Sequence, residues 1–92
     1  MERNSITGNT LTLTDEVLLW PHVAGYREVV RGVYAHRIWC VAVAANADKH
    51  IKRELAVLCK QNGVSLKFVP SKEELGSKLG LEVACATVGF LK

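Results

Sequence analysis

Cysteine is scarce in this chain, and what there is makes no pattern. Cys40, Cys59 and Cys85 are three in 92 residues. The odd count and the lack of any CxxC pair argue against a disulfide framework or a thiolate zinc site. Each lies among apolar residues, the setting of a reduced core thiol. His22, His36 and His50 are scattered without ligand spacing, so no metal is expected. GxGxxG, GxSxG, HExxH and the phosphate-binding GxxxxGK run are all missing. A nucleophilic cysteine needs a histidine in reach, and the sequence places none there. Glu73 and Glu74 are adjacent, but neighbouring helical residues point apart, and their ordinary task is to favour the positive end of a helix. No enzyme activity or small-molecule substrate is therefore expected. No apolar run approaches the roughly 20 residues of a spanning helix, so no membrane partner is expected either. The start, MERNSITGNT, is polar and lacks the apolar core of a signal peptide, and it gives no sign of secretion.

Charge excess is small as well. Twelve Lys and Arg stand against nine Asp and Glu, a net charge of +3, which suits a polyanionic partner without demanding one. Apolar residues make up 49% of the chain, enough for one core and one small domain. We read residues 1–14 as a polar N-terminal arm and 15–92 as the domain.

Within the domain, helical and extended patterns alternate. Asp15 is positioned to cap a short turn, EVLLW, that Pro21 stops. His22 to Ala24 reads as a short extended piece. Gly25 opens GYREVVRGVYAHR, in which Tyr26, Val29, Val30 and Val33 follow i, i+3, i+4, i+7. Ile38 to Ala45, IWCVAVAA, is continuously apolar and too short for a good helix; it reads as a central strand buried on both faces. Asp48 then caps KHIKRELAVLCKQN, whose buried stripe is Ile51, Leu55 and Leu58, with Gly63 as a left-handed C-terminal cap. VSLKFV alternates as a strand and Pro70 ends it. Ser-Lys-Glu-Glu from Ser71 has the form of a capping box. Leu75 and Leu79 face inward, Gly76 leaves room for close packing, Gly80 ends the helix, and VACATVGFL is the last strand. The aromatic residues sit mostly in apolar context and read as core. The alternation favours an α/β sandwich with a mostly parallel sheet.

The chemistry that is present suits binding. Arg27 and Arg31 lie i, i+4 near the amino end of a helix, where exposed amides and guanidinium forks can grip phosphates or guanine edges. Glu28 between them can accept hydrogen bonds from base amino groups. The ordinary account of these three is a solvated face of mixed charge, and the same holds for the basic flank of 49–60.

Three segments together raise the specificity: GYREVVR (25–31), CVAVAANAD (40–48) and LAVLCKQNGVSLKFVPSKEELGSKLGLE (55–82). In this order and spacing they resemble the superfamily of kink-turn-binding ribosomal proteins. That group holds large-subunit seven-Ae and thirty-e, small-subunit twelve-e and core proteins of small nucleolar particles. The G-x-R-E start and the A-x-N-x-D turn look most like the twelve-e branch. The resemblance implies a three-layer α/β/α sandwich around a four-stranded mixed sheet, RNA binding without catalysis, and no cofactor. Carried onto this chain, the RNA-binding positions are Gly25, Arg27 (for the family's asparagine), Glu28, Arg31 (for its lysine), Asn46, Asp48, Lys72, Leu81 and Val83. Val83 stands where kink-turn readers carry arginine. The family's closing helix has no counterpart before Lys92, and its first helix is cut to about a turn. We therefore expect a shortened form that leans on neighbouring proteins. The function implied is that of a structural protein of the small ribosomal subunit, contacting ribosomal RNA and neighbouring ribosomal proteins in the cytoplasm. The alternative is a kink-turn-binding core protein of a small nucleolar or related particle, placed in the nucleolus. A protein–protein module like the stress-response branch fits less well, because that branch tends to be acidic.

Overall fold

The computed structural model describes residues 6–7 and 9–92. Its elements, in chain order, are β1 (Ile6–Thr7), β2 (Thr10–Leu11), α1 (Asp15–Leu18), β3 (His22–Ala24), α2 (Tyr26–Tyr34), β4 (Ile38–Ala44), α3 (Lys49–Asn62), β5 (Ser65–Val69), α4 (Lys72–Lys78) and β6 (Thr87–Leu91). The fold is mixed α/β, with four helices and one sheet in the order β1-β2-β5-β4-β6-β3.

The sheet departs from the expected four strands. Five strands run from Thr10 onward, and the two-residue β1 extends the edge. The addition that was not foreseen is β2. It pairs parallel with β5 through Thr10 and Phe68, and the Phe68 amide donates to the Asn9 carbonyl at 2.6 Å. Two residues are too few for any hydrophobic period to register. The chain ahead of α1, expected as a polar arm, is nonetheless tied down here, because Leu11 is fully buried and Leu13 nearly so.

The sheet is mixed. β5 runs parallel to β4, while β6 is antiparallel to both β4 and β3. β4 is central, and every residue from Cys40 to Ala44 is buried. Val41, Val43, Val88 and Phe90 form the middle of a core that Val29, Val33, Leu55 and Leu75 close from the helices. α2 and α3 pack on each other and on the sheet. Two glycines set how near α2 can come. A β-carbon at Gly89 would lie 2.6 Å from Ile38 Cδ1 and 3.4 Å from Val29 Cγ2, and one at Gly32 would also collide with Ile38. The cost of glycine inside α2 is thus exchanged for close approach to β4 and β6.

Local details refine the sequence reading. Thr14, not Asp15, caps α1: its hydroxyl accepts from the Val17 amide at 3.2 Å, and Asp15 is the first helical residue. β6 begins at Thr87 rather than Val83, since residues 79–86 form a loop over α4. Tyr34 is 66% exposed and Trp39 39% exposed, so these two aromatics are not core. The apolar context of Trp39 came from strand neighbours whose side chains point elsewhere.

Candidate nucleic-acid interface

Strand direction gathers the site. β3 and β4 both oppose β6, and β5 parallels β4, so β3, β4 and β5 end at one rim of the sheet, where β6 begins. Hydrogen bonds lace that rim together. The Gly25 amide donates to the Thr87 carbonyl (3.0 Å), the Ala44 amide to the Ala86 carbonyl (2.8 Å) and the Ala45 amide to the Val69 carbonyl (2.8 Å). Three helix amino termini emerge there, and each contributes unpaired amides and a partial positive charge.

Two of these starts are satisfied internally. Asp48 Oδ1 accepts from the His50 amide at 2.7 Å and caps α3. Ser71 Oγ accepts from the Glu74 amide at 3.0 Å, the first half of the expected capping box. Asn46 stitches the two turns together: its Oδ1 accepts from the Lys72 amide (2.8 Å) and its Nδ2 donates to Glu73 (2.9 Å). That bond from Asn46, together with a backbone bond, holds the Glu73 carboxyl below its ordinary range. Asn46 and Asp48 therefore have local work at the rim, whatever else they touch.

The third start is different. α2 has no side-chain cap, because its N-cap is Gly25, at φ +99° and ψ 150°, a conformation that side chains rarely adopt. Its first turn carries exposed Arg27 and Glu28, and Arg31 follows one turn on. Arg31 pairs with Glu28 at 3.6 Å on the open surface. An uncapped amino terminus beside two guanidinium groups can receive a phosphate or another anionic oxygen through amides and forks at once.

The remaining residues named from sequence sit around this start. Lys72 opens α4, and its carbonyl accepts from the Cys85 amide at 3.0 Å, which anchors the 79–86 loop. Leu81 and Val83 stand out from that loop; Val83 is 71% exposed. The cleft they line with Glu73, Ser77 and Glu82 carries carboxylates rather than cations. The structure thus brings Gly25, Arg27, Glu28, Asn46, Asp48, Lys72, Leu81 and Val83 to one rim, with Arg31 set back along α2. Sequence reading passed over Lys52 as a wet-face lysine, yet its ammonium donates to the Ala45 carbonyl at 2.8 Å, at the same rim. The signal available was its place in the first turn after the Asp48 cap. Between α2 and α3, the Tyr26 hydroxyl donates to Glu54. This bond, then burial, raises the phenol above its ordinary range.

Among the described residues, no group of three or more histidines, cysteines and carboxylates is arranged to hold a metal ion, and no helix is long and apolar enough to cross a membrane.

Comparison with known proteins gives a consistent neighbourhood. A family model described as "Ribosomal protein L7Ae/L30e/S12e/Gadd45 family" matches residues 22–92. An RNA-binding protein of Caldanaerobacter subterraneus subsp. tengcongensis is 25% identical over 65 residues, 71% of this chain and 79% of that one. The large ribosomal subunit protein eL8 of Nitrosopumilus maritimus is 28% identical over 68 residues; the match covers 73% of this chain but only 53% of eL8. Among solved structures, the Giardia lamblia 15.5kD RNA binding protein superposes with a TM-score of 0.76 at 25% identity. That superposition covers all of this chain and 84% of the other. A Bacillus halodurans protein of unknown function gives 0.73 at 22% identity over 77% of this chain and 71% of its own, a likeness of fold.

Proposed function

Because the chain belongs to the ribosomal protein L7Ae/L30e/S12e/Gadd45 family, we propose that it is a non-enzymatic RNA-binding protein that works through the sheet rim. The particle we assign it to is the small ribosomal subunit, where it contacts ribosomal RNA and neighbouring ribosomal proteins. The same reading takes the helices as two outer layers of an α/β/α sandwich, in keeping with a central strand buried on both faces. One observation carries the RNA assignment: of three helix starts gathered at the rim, the one without a side-chain cap bears Arg27, Glu28 and Arg31.

Each side chain has a task in this reading. The α2 amides and Arg27 hold phosphate oxygens, and Arg31 extends the cationic track. Glu28, half engaged with Arg31, accepts from a base amino group. Lys72 adds a phosphate contact, and Leu81 and Val83 offer apolar cover to an unstacked base. Recognition then depends more on charge and shape than on a base code. Asn46 and Asp48 set the rim's shape, and direct RNA contact by either is secondary.

A second reading, a kink-turn-binding core protein of a small nucleolar or related particle, is favoured by the full-length superposition on the Giardia RNA-binding protein. An isolated kink-turn RNA separates the two. Salt-sensitive binding that is lost when the sheared G·A pairs are swapped supports the core-protein reading. Co-sedimentation with small subunits, without such binding, supports the ribosomal one. The rim is tested by Arg27→Ala with Arg31→Ala. If both reach phosphates, the slope of log K against log salt should fall by roughly 1.4–1.8. An unchanged affinity and slope would refute the assignment of this surface.

A further inference from the structure

The sheet has an edge whose free side is chemically defined. β3 is the last strand in the order, with β6 on one side and no strand on the other. Its ladder with β6 runs His22↔Phe90, Val23↔Gly89 and Ala24↔Val88. Two bonds in the same register bound that ladder. The Leu91 amide donates to the Pro21 carbonyl at 2.9 Å, and the Gly25 amide donates to the Thr87 carbonyl at 3.0 Å. In an antiparallel pair, hydrogen-bonded and non-hydrogen-bonded residues alternate. Pro21, Val23 and Gly25 therefore face β6, and the amides and carbonyls of His22 and Ala24 point away from it. Among the described residues no backbone group bonds to these four, and both residues are partly exposed. Apart from its shortness, β3 lacks the devices that close an edge, because it contains no lysine and no proline.

The two sides of this edge differ in chemistry, since side chains alternate along a strand. On the α2 side, Val23 lines a slot of about 70 Å³ with Leu91, Gly32, Ala35 and Arg37. One water needs roughly 10–15 Å³, so the slot admits the head of a side chain. Glu28 and Arg31 stand at its margin and pair with each other at 3.6 Å. Arg37 is exposed and has no ion pair among the described residues. β3 and β6 carry no carboxylate, so the charge left open at the slot is positive. The other side is apolar. His22 and Trp20 lean on Phe90, at ring centroids of 6.3 Å and 5.3 Å. Trp39 lies 5.6 Å from Trp20 and stays partly exposed. It is turned out by a bulge, where the β4–β6 register slips between Ile38 and Cys40.

We propose that the free edge of β3 receives an extended segment of a protein partner as a further strand, with an acidic residue opposite Val23 and apolar residues opposite His22 and Ala24. A strand added about 4.8 Å from β3 meets the outward amide and carbonyl of both His22 and Ala24. The residue opposite Val23 sends its side chain to the α2 side, where Arg37 receives the acid. Its two neighbours send theirs to the Trp20 side. Main-chain bonds give such strand addition its affinity, and alternate side chains give it specificity. Phosphates supply only acceptors, whereas the His22 and Ala24 carbonyls need donors; a peptide strand supplies both. The proposal goes beyond the rim and does not rest on it, and Arg37 is not among the rim residues.

The full chain, labelled with nitrogen-15, is titrated with a blocked peptide of about seven residues that alternates valine and glutamate. The expected result is that the His22 and Ala24 amides, fast to exchange with solvent in the free protein, shift and become protected. The Val23 amide, already bonded to β6, should change little. The same peptide N-methylated at its valines, the residues that face His22 and Ala24, should not bind. Arg37→Ala should weaken the unmethylated peptide about two- to fivefold, and Arg37→Glu should reverse the preference toward a valine–lysine peptide. No protection of either amide at about 1 mM peptide would overturn the proposal. Equal binding by the N-methylated peptide would do the same, because the contact would then not be a strand. An affinity unchanged in Arg37→Ala would overturn the acidic partner. Protection of these amides by a single-stranded oligouridine, with displacement of the peptide, would give the edge to RNA. Protection that grows with protein concentration alone would give it to a second copy of the chain. Either outcome overturns the proposal and leaves the rim assignment intact.

Discussion

Gly76→Ala is the substitution on which two physical effects most clearly disagree. Alanine is the better helix former, and inside α4 the exchange alone should stabilise the protein by about 1 kcal/mol. Packing opposes this. Gly76 is buried, and a β-carbon there would collide with the Val83 carbonyl oxygen and come within 3.1 Å of both Ala84 Cα and the Cys85 amide nitrogen. These are backbone atoms, so no side chain can swing aside. The loop cannot retreat freely either, because the Cys85 amide donates to the Lys72 carbonyl at 3.0 Å and the Leu81 amide to the Gly76 carbonyl at 2.9 Å. Overpacking of a tight interior costs about 1–3 kcal/mol, and a backbone hydrogen bond lost as the loop shifts adds about 1 kcal/mol. Set against the propensity gain, a net loss of about 2 kcal/mol remains. In a domain of this size that lowers Tm by roughly 8–16 °C. Thermal unfolding followed by circular dichroism measures it, with Ser77→Ala on the exposed side of the same helix as the control. A Gly76→Ala protein as stable as the unsubstituted one, or more so, would show that the loop yields without cost and that the packing account of Gly76 is wrong.

The cysteines and the Asn46 junction give two further tests. Cys40 and Cys59 are buried, and burial pushes each thiol up to about 11. In the folded state they should resist a thiol reagent at pH 8 and react only as the protein unfolds. A folded pKa above the unfolded one means that the associated stability is fully present below about pH 8.5 and is lost as pH rises toward 11; denaturant titrations across that window should show the decline. At the rim, Asn46→Ala removes the donor that depresses Glu73. The Glu73 titration followed by NMR should then move up toward the ordinary glutamate value. The sign follows from the depressed native value: this contribution is present above the unfolded carboxylate pKa and is lost as pH falls through the folded one. The acid limb of the stability curve should therefore flatten in Asn46→Ala. A Glu73 curve unmoved by the substitution would remove Asn46 as its cause.

The openings of α2, α3 and α4 and the reach of the central strand were legible from local chemistry; the cap of α1 was placed one residue late. Asp48, Gly63 and Ser71 act as caps or stops because capping depends on a side chain and amides two or three positions away. IWCVAVAA was readable as a central strand because a strand buried on both faces keeps no polar alternation. β2 was not legible. Its two residues are held by pairing with β5, some 58 positions later, and no local pattern records such a partner. The outward turn of Trp39 was hidden for the same reason: the bulge exists only in the register between β4 and β6.

The site divides along that line too. The sequence by itself determined which residues are chemically able to meet RNA. Arg27 and Arg31 share a helical face, Glu28 lies between them, and Gly25 ensures that the helix starts without a side-chain cap; all of this is fixed within seven residues. Only the tertiary structure decided that Lys72, Asn46 and the 79–86 loop share a rim with that helix start, and that Lys52 joins them. It also decided that Gly76 admits the loop, because the obstacle to a β-carbon there is a backbone seven to nine residues away. Such contacts arise from strand direction and close packing of non-local segments, and the chain acquires them only when the sheet forms.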